Sequence, residues 1–325
     1  MLRTTTYFFL LWLVIGLACS PAEQKVYTFR IGHVANEDHT WHQSFLYLKK
    51  ILHERTNGRI KVEVYPAEQL GKEIEVIRSI QAGIVEMTVT AGTLQNWTEM
   101  AGFCETPFLL KDSTHLHRVA DGPIGKRIEA DILEHTAMRP LAYFERGARH
   151  LTSNRPIRHP DELKGIILRT PNVPSYITAW EALGAKPTPM AFSEVFTSLQ
   201  QGTIEAQENP FAMIRSASFA EVQDYLNLTG HLISWVYIVV GEKQFQALPD
   251  DLQQEFSQAA KDMQAYEHSM FLRNEEMIKA ELKEKGMEFI EVDKQAFSGG
   301  SSKALYERLS PEMQKIYKEI EALSP

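Results

Sequence analysis

The sequence predicts an α/β protein made of two successive β-α-β units and one long helix. Three patterns carry that prediction. Two stretches alternate between strand-like and helix-like spacing, and a third, residues 250–285, contains neither glycine nor proline. Apolar residues two apart mark half-buried strands, whereas spacings of three and four mark one face of a helix.

In the first unit, Tyr27, Phe29, Ile31 and His33 fall on one face of a period-two segment. Residues 41–56 then place Trp41, Phe45, Leu48 and Leu52 at helical spacing, and Asn57-Gly58 supplies the stop. Residues 60–65 alternate again and end at Pro66. Residues 72–81 predict a second helix with Ile74, Ile77 and Ile80 inward, and residues 84–90 a third strand. This order implies a parallel sheet with helices on both faces. In the second unit, residues 141–144 and 166–169 read as strands and residues 175–183 and 192–201 as helices. Pro210 can open a further helix at its first turn. As one helix, residues 250–285 would extend about 54 Å, longer than a small domain is wide. Two helices joined by a bend are the plainer alternative; a single helix would be a backbone shared by both units. A ligand cleft is expected between the units, beyond the carboxyl ends of the strands.

The chain has 325 residues, enough for two domains, with 44% hydrophobic and 23% charged residues. Its formal charge is −8, and the N-terminal segment carries only Arg3, so the chain without it sits near −9. An acidic balance argues against a nucleic-acid partner, which needs a basic face. It leaves room for an anionic ligand held by a few buried arginines. Arg3 followed by the apolar residues 7–18 reads as an export signal: twelve residues rise about 18 Å, short of the roughly 30 Å hydrocarbon core. Leu17-Ala18-Cys19-Ser20 resembles a lipoprotein signal that would leave Cys19 lipid-anchored, and Ser20-Pro21-Ala22 offers ordinary cleavage. Cys104 is the only other cysteine, so no intramolecular disulfide is expected after cleavage.

No Gly-x-Ser-x-Gly elbow, Walker loop, His-Glu-x-x-His or Cys-x-x-Cys occurs, which argues against an enzyme and against ATP binding. Ser298-Gly299-Gly300-Ser301 reads as a flexible loop. His33, His39 and His42 cluster without a cysteine pair or carboxylate at ligand spacing, so no metal and no cofactor are expected.

Residues 149–210 carry a more specific signal. They contain Arg149-His150-Leu151-Thr152-Ser153-Asn154-Arg155-Pro156, Pro160-Asp161-Glu162-Leu163-Lys164-Gly165 and Leu168-Arg169-Thr170-Pro171-Asn172. Gly184-Ala185-Lys186-Pro187-Thr188-Pro189 and Gln207-Glu208-Asn209-Pro210 follow, and Tyr65-Pro66, Gln69-Leu70-Gly71 and Thr106-Pro107-Phe108 precede. This string resembles the solute receptors of TRAP transporters, the DctP family, over essentially the whole chain after the signal.

The resemblance implies a two-domain clamshell of the periplasmic-binding-protein kind, spanned by the long helix. On that plan residues 1–22 are the signal segment, residues 25–146 with 235–274 form the first domain, and residues 147–234 with 275–325 form the second. It further implies a ligand carboxylate held by Arg169, with Arg149, Asn209, Phe192 and Glu73 around it and TRAP permease subunits as partners. His33, at the carboxyl end of the first strand, is expected to face the cleft. The chemistry is coherent, because a guanidinium fork matches a planar carboxylate where a lysine would supply charge alone. Arg149 could instead form a structural ion pair with Glu145 or Asp161. A sugar acid, either hexuronate or aldonate, is the first expectation for the ligand. A C4-dicarboxylate or sialic acid is the alternative within the same class, with Val34 and Ala91 departing from the polar residues of sialic acid receptors. A lyase or hydrolase on acidic sugars, and a binding protein that senses rather than transports, are the readings from other classes.

Overall fold

The computed structural model describes residues 24–325, so the expected signal segment and Cys19 lie outside the described residues. The elements run β1 (Tyr27–Gly32), α1 (Thr40–Arg55), β2 (Ile60–Tyr65), α2 (Glu73–Gln81), β3 (Met87–Thr90), α3 (Ser113–Ala120), α4 (Pro123–Thr136) and β4 (Met138–Ser153). They continue with β5 (Ile167–Thr170), α5 (Pro174–Ala182), β6 (Lys186–Pro189), α6 (Val195–Gln200), β7 (Ala206–Pro210), α7 (Phe211–Ser216) and β8 (Tyr225–Gly241). The chain closes with α8 (Glu242–Gln246), α9 (Asp250–Glu284), β9 (Glu288–Ile290), α10 (Lys294–Arg308) and α11 (Pro311–Ala322).

The described strands form one sheet ordered β2-β1-β3-β8-β4-β7-β5-β6, with β9 beside β8. The expected parallel pairing holds for β1 with β2 and β3, and for β5 with β6 and β7. At the centre it gives way to the long antiparallel pair β4–β8. These two strands run through both halves, and their register shifts between Arg146 and Arg149 and again between Arg149 and Leu151. A register break bends a strand and re-aims its side chains. Here it sits where the chain passes from one lobe to the other.

Each lobe has its own apolar core. Ile31, Phe45, Leu48, Phe144 and Trp235 belong to the first. The second lobe packs Leu168, Tyr176 and Trp180 on one side of its sheet and Val195, Ile214 and Phe219 on the other. The long helix is single, 35 residues without a break, ending before Gly286 at φ 96°. Phe256, Ala260 and Met263 enter the first core, and Ile278 and Leu282 enter the second. One rigid element therefore touches both lobes.

Three local expectations are corrected. Ser298-Gly299-Gly300-Ser301 lies inside α10, not in a loop. Gly300 faces the Ala182 carbonyl and Leu183, each 3.9 Å from where a Cβ would be, and Phe297 and Ser301 are fully buried. Close packing on α5 outweighs the poor helix propensity of glycine. In α2 it is Val76, Ile77 and Ile80 that are buried, while Ile74 turns to the interlobe cavity. Finally, α11 was expected with the second domain, but Met313, Ile316, Tyr317 and Ile320 pack in the first core.

Candidate functional site

Between the lobes lies a cavity of about 510 Å³, lined from both sides. Five of the six expected site residues line it: Arg169, Arg149, Asn209, Glu73 and Phe192.

Arg169 is the last but one residue of β5, whose carboxyl end opens into the cavity, and only 3% of it is exposed. Its Nε–H and Nη2–H both donate to the Met190 carbonyl, at 3.1 and 2.7 Å. That anchor fixes the guanidinium plane and leaves the end-on pair, Nη1–H and the second Nη2–H, free for a ligand. Phe192 supports it from beneath, its ring 5.8 Å from the guanidinium carbon. Among the described residues Arg169 makes no ion pair with a carboxylate. Burial, with Arg149 nearby, draws its pKa down to about 10, so it stays charged at neutral pH.

Arg149 is held differently. Its Nε–H and Nη2–H grip the Glu208 carboxylate at 2.5 and 2.7 Å, and Nη2–H also donates to the Glu208 carbonyl at 2.7 Å. The ion pair anticipated with Glu145 or Asp161 is thus made with Glu208, from the neighbouring strand β7. Burial would raise the Glu208 carboxyl, but Arg149 and the hydrogen bond from His231 outweigh it and hold it at about 2. Asn209 follows on β7, 2% exposed, with its amide donating to Gln207 at 2.7 Å.

From the first lobe, Glu73 opens α2 and accepts from the Thr90 hydroxyl at 2.6 Å, and burial raises its carboxyl pKa. Val34 and Ala91 both line the cavity.

His33 does not line the cavity. It is 3% exposed, with Nε2 3.1 Å from His42 Nδ1 and its ring 5.3 Å from that of Phe45. Gly32 ends β1, and the His33 side chain folds under α1 rather than into the cleft. Its backbone does contribute, because the His33 carbonyl accepts from Glu68 N–H at 3.0 Å and pins the turn behind it.

That turn presents a residue the sequence reading missed. Glu68 sits at φ 58°, next to Ala67 at φ 49°, and its buried Oε2 has no hydrogen-bond partner. Two more unmatched polar groups line the same cavity, the Tyr176 hydroxyl and Arg146 Nε. Arg146 Nη1 pairs with Glu105 at 2.5 Å, both side chains being 10% exposed or less. Polar atoms of this kind, buried without partners around a cavity, ask for a polar ligand. Only Tyr65-Pro66 and Gly71 hinted at Glu68; Arg146 and Tyr176 stand at no recognisable spacing.

At the cavity mouth Lys72 Nζ meets Glu194 at 2.5 Å, joining the two lobes. Gln95 exchanges two hydrogen bonds with Ser175, and Asn36 donates to the Ser216 carbonyl, again between lobes. These contacts link the two lobes across the cavity mouth.

A two-lobed α/β body with a polar cavity between its lobes is the architecture of a solute-binding protein. Residues 31–320 match the family described as bacterial extracellular solute-binding protein, family 7, or DctP, and the chain belongs to that family. It is 45% identical to a solute-binding protein of Roseobacter denitrificans over 94% of each chain. The crystal structure of that TRAP periplasmic protein, with bound L-galactonate, superposes with a TM-score of 0.90 over 91% of this chain and 99% of the other. It is 33% identical to the 2,3-diketo-L-gulonate-binding periplasmic protein of Escherichia coli over 91% of this chain and 90% of the other. A TRAP periplasmic protein from Ochrobacterium anthropi with bound L-fuconate is 31% identical, with a TM-score of 0.85 over 92% and 99%. The family is one of extracytoplasmic receptors rather than enzymes.

Proposed function

We propose that this protein captures a six-carbon sugar acid outside the cytoplasm and delivers it to the membrane subunits of a TRAP transporter. An open-chain aldonate is our first choice of ligand. The observation that carries the reading is the Arg169 guanidinium, buried, oriented by Met190 and without an acid partner among the described residues. A ligand carboxylate would complete it through two parallel charge-assisted bonds.

The other end of the cavity supports a hydroxyl-rich tail. Glu68 and Glu73 supply acceptors, and Tyr176 and Arg146 supply unmatched polar atoms. A C4-dicarboxylate would set a second carboxylate against those acids, with Arg146 already committed to Glu105. The 45% identical relative with L-galactonate bound favours an aldonate, and a relative with bound β-D-galacturonate keeps a hexuronate as the alternative.

In this mechanism the open form admits the acid onto Arg169. Bending at the β4–β8 register break then brings Glu68 and Glu73 over the hydroxyls. The ligand favours the closed form only through contacts it makes there and not in the open form. Export by the N-terminal segment, a periplasmic location and a lipid on Cys19 belong to the same proposal, as does the division into two lobes as the moving units.

Calorimetry against a panel of aldonates, hexuronates, sialic acid and C4-dicarboxylates tests the reading. The expected result is tight 1:1 binding of an aldonate such as L-galactonate, recovered unchanged after incubation. Binding of dicarboxylates alone would contradict the ligand class, and a converted product would favour a lyase.

A further inference from the structure

We infer that the outer face of the first lobe carries a separate site for a divalent transition-metal ion, formed by His117 of α3, Glu145 of β4 and His268 of α9. Each offers one ligand atom, and the three atoms lie within 4.8 Å of one another. His117 Nε2 is 3.1 Å and His268 Nδ1 is 3.7 Å from the same oxygen, Glu145 Oε2. Ligands bound about 2.0–2.2 Å from a tetrahedral zinc stand roughly 3.3–3.6 Å apart, so little movement is needed.

The hydrogen bonding around His117 sharpens the case. Tyr143 O–H donates to Asp121 Oδ1 at 2.7 Å, so the Tyr143 oxygen is the acceptor for His117 Nδ1–H at 3.0 Å. Asp121 Oδ2 stands 3.4 Å from the same nitrogen. With its proton on Nδ1, His117 turns the Nε2 lone pair toward a carboxylate oxygen 3.1 Å away. Two lone pairs do not face each other at that distance without a positive charge between them. A carboxylate behind one imidazole nitrogen is also the usual way a metal-binding histidine is held in orientation.

Glu145 points the same way. Its side chain is 6% exposed, and no lysine or arginine among the described residues pairs with it; its nearest partners are two imidazoles. A buried carboxylate needs compensation. A dication would satisfy it and use both imidazoles at once. The recess beside these residues holds about 270 Å³, enough for an ion and its water, with Lys261 also at its rim. Two nitrogens and one carboxylate select zinc, nickel or copper over magnesium or calcium. The site lies where α9 leaves the first core after Met263 and one residue before Arg146 at the β4 register break. An ion there would brace the shared helix against the strand that bends.

Zinc titration of chelator-treated protein, followed by calorimetry and thermal denaturation, tests this. The expected result is one site per chain, a raised melting midpoint and no comparable response to magnesium. His117→Ala and His268→Ala, both partly exposed positions, should each weaken zinc by at least about tenfold while sugar-acid binding, the check on folding, stays as in the parent. Zinc binding that survives both substitutions, or no zinc response in the parent protein, would overturn the proposal. The second outcome would assign the Glu145 cluster to imidazolium pairing instead.

Discussion

Arg149 and Glu208 face each other from adjacent antiparallel strands, joined by two side-chain bonds of 2.5 and 2.7 Å with 3% and 0% of their side chains exposed. His231 Nε2 lies 2.9 Å from the same carboxylate. Arg149 is therefore part of the cavity wall, its charge already answered, while Arg169 beside it is not.

Glu208→Ala should leave a buried cation without its partner. Removing one member of such a pair costs about 3–5 kcal/mol, so the urea midpoint should fall strongly. An unchanged midpoint would show that the pair contributes nothing to the fold.

The Lys72–Glu194 bridge spans the cavity mouth, with each side chain nearly half exposed. Exposed pairs contribute little and are screened by salt. Lys72→Ala should raise the Kd for sugar acid by no more than about fivefold, chiefly through faster release in stopped-flow measurements. The difference should vanish in high salt; a larger loss that persists there would make Lys72 a direct ligand contact.

Burial lowers the pKa of His33, His39 and His150 to about 3 each. Their unfolded forms take up protons below about pH 6.5, whereas the folded forms stay neutral until about pH 3. The unfolded state thus binds more protons in that window, and stability falls as the pH falls, by up to about 1.4 kcal/mol per pH unit for each group. His39 also caps α1, accepting from Trp41 N–H at 3.2 Å. His39→Asn keeps a capping acceptor and should flatten the pH 6.5–5 limb of a denaturation series. An unaltered slope would show that His39 does not titrate differently on folding.

Much of this architecture was legible because its elements are locally consistent. The β1-α1-β2 spacing, the glycine- and proline-free run of α9 and the motif around Arg169 each fixed a feature that the structure keeps. What stayed hidden depends on residues far apart in sequence. His33 was expected in the cleft because its strand points there, but a side chain just past a strand end answers to its packing partner, here His42. Arg146 and Tyr176 gained their place only when the β4 register broke and α5 folded back. Glu68 depended on two left-handed residues that carry no glycine signal. The Ser298–Ser301 glycines looked like a loop until α5 supplied the surface that α10 needed.

The central claim, that a carboxylate is gripped by Arg169, the buried arginine left without an acid among the described residues, is tested most directly by calorimetry on Arg169→Ala and Arg169→Lys with L-galactonate or the best ligand of the panel. Losing the fork should cost about 2–5 kcal/mol, a weakening of roughly thirty-fold to several thousand-fold, with lysine restoring only part of it because it supplies charge without the parallel donors. Affinity for the acid unchanged in Arg169→Ala would contradict the account.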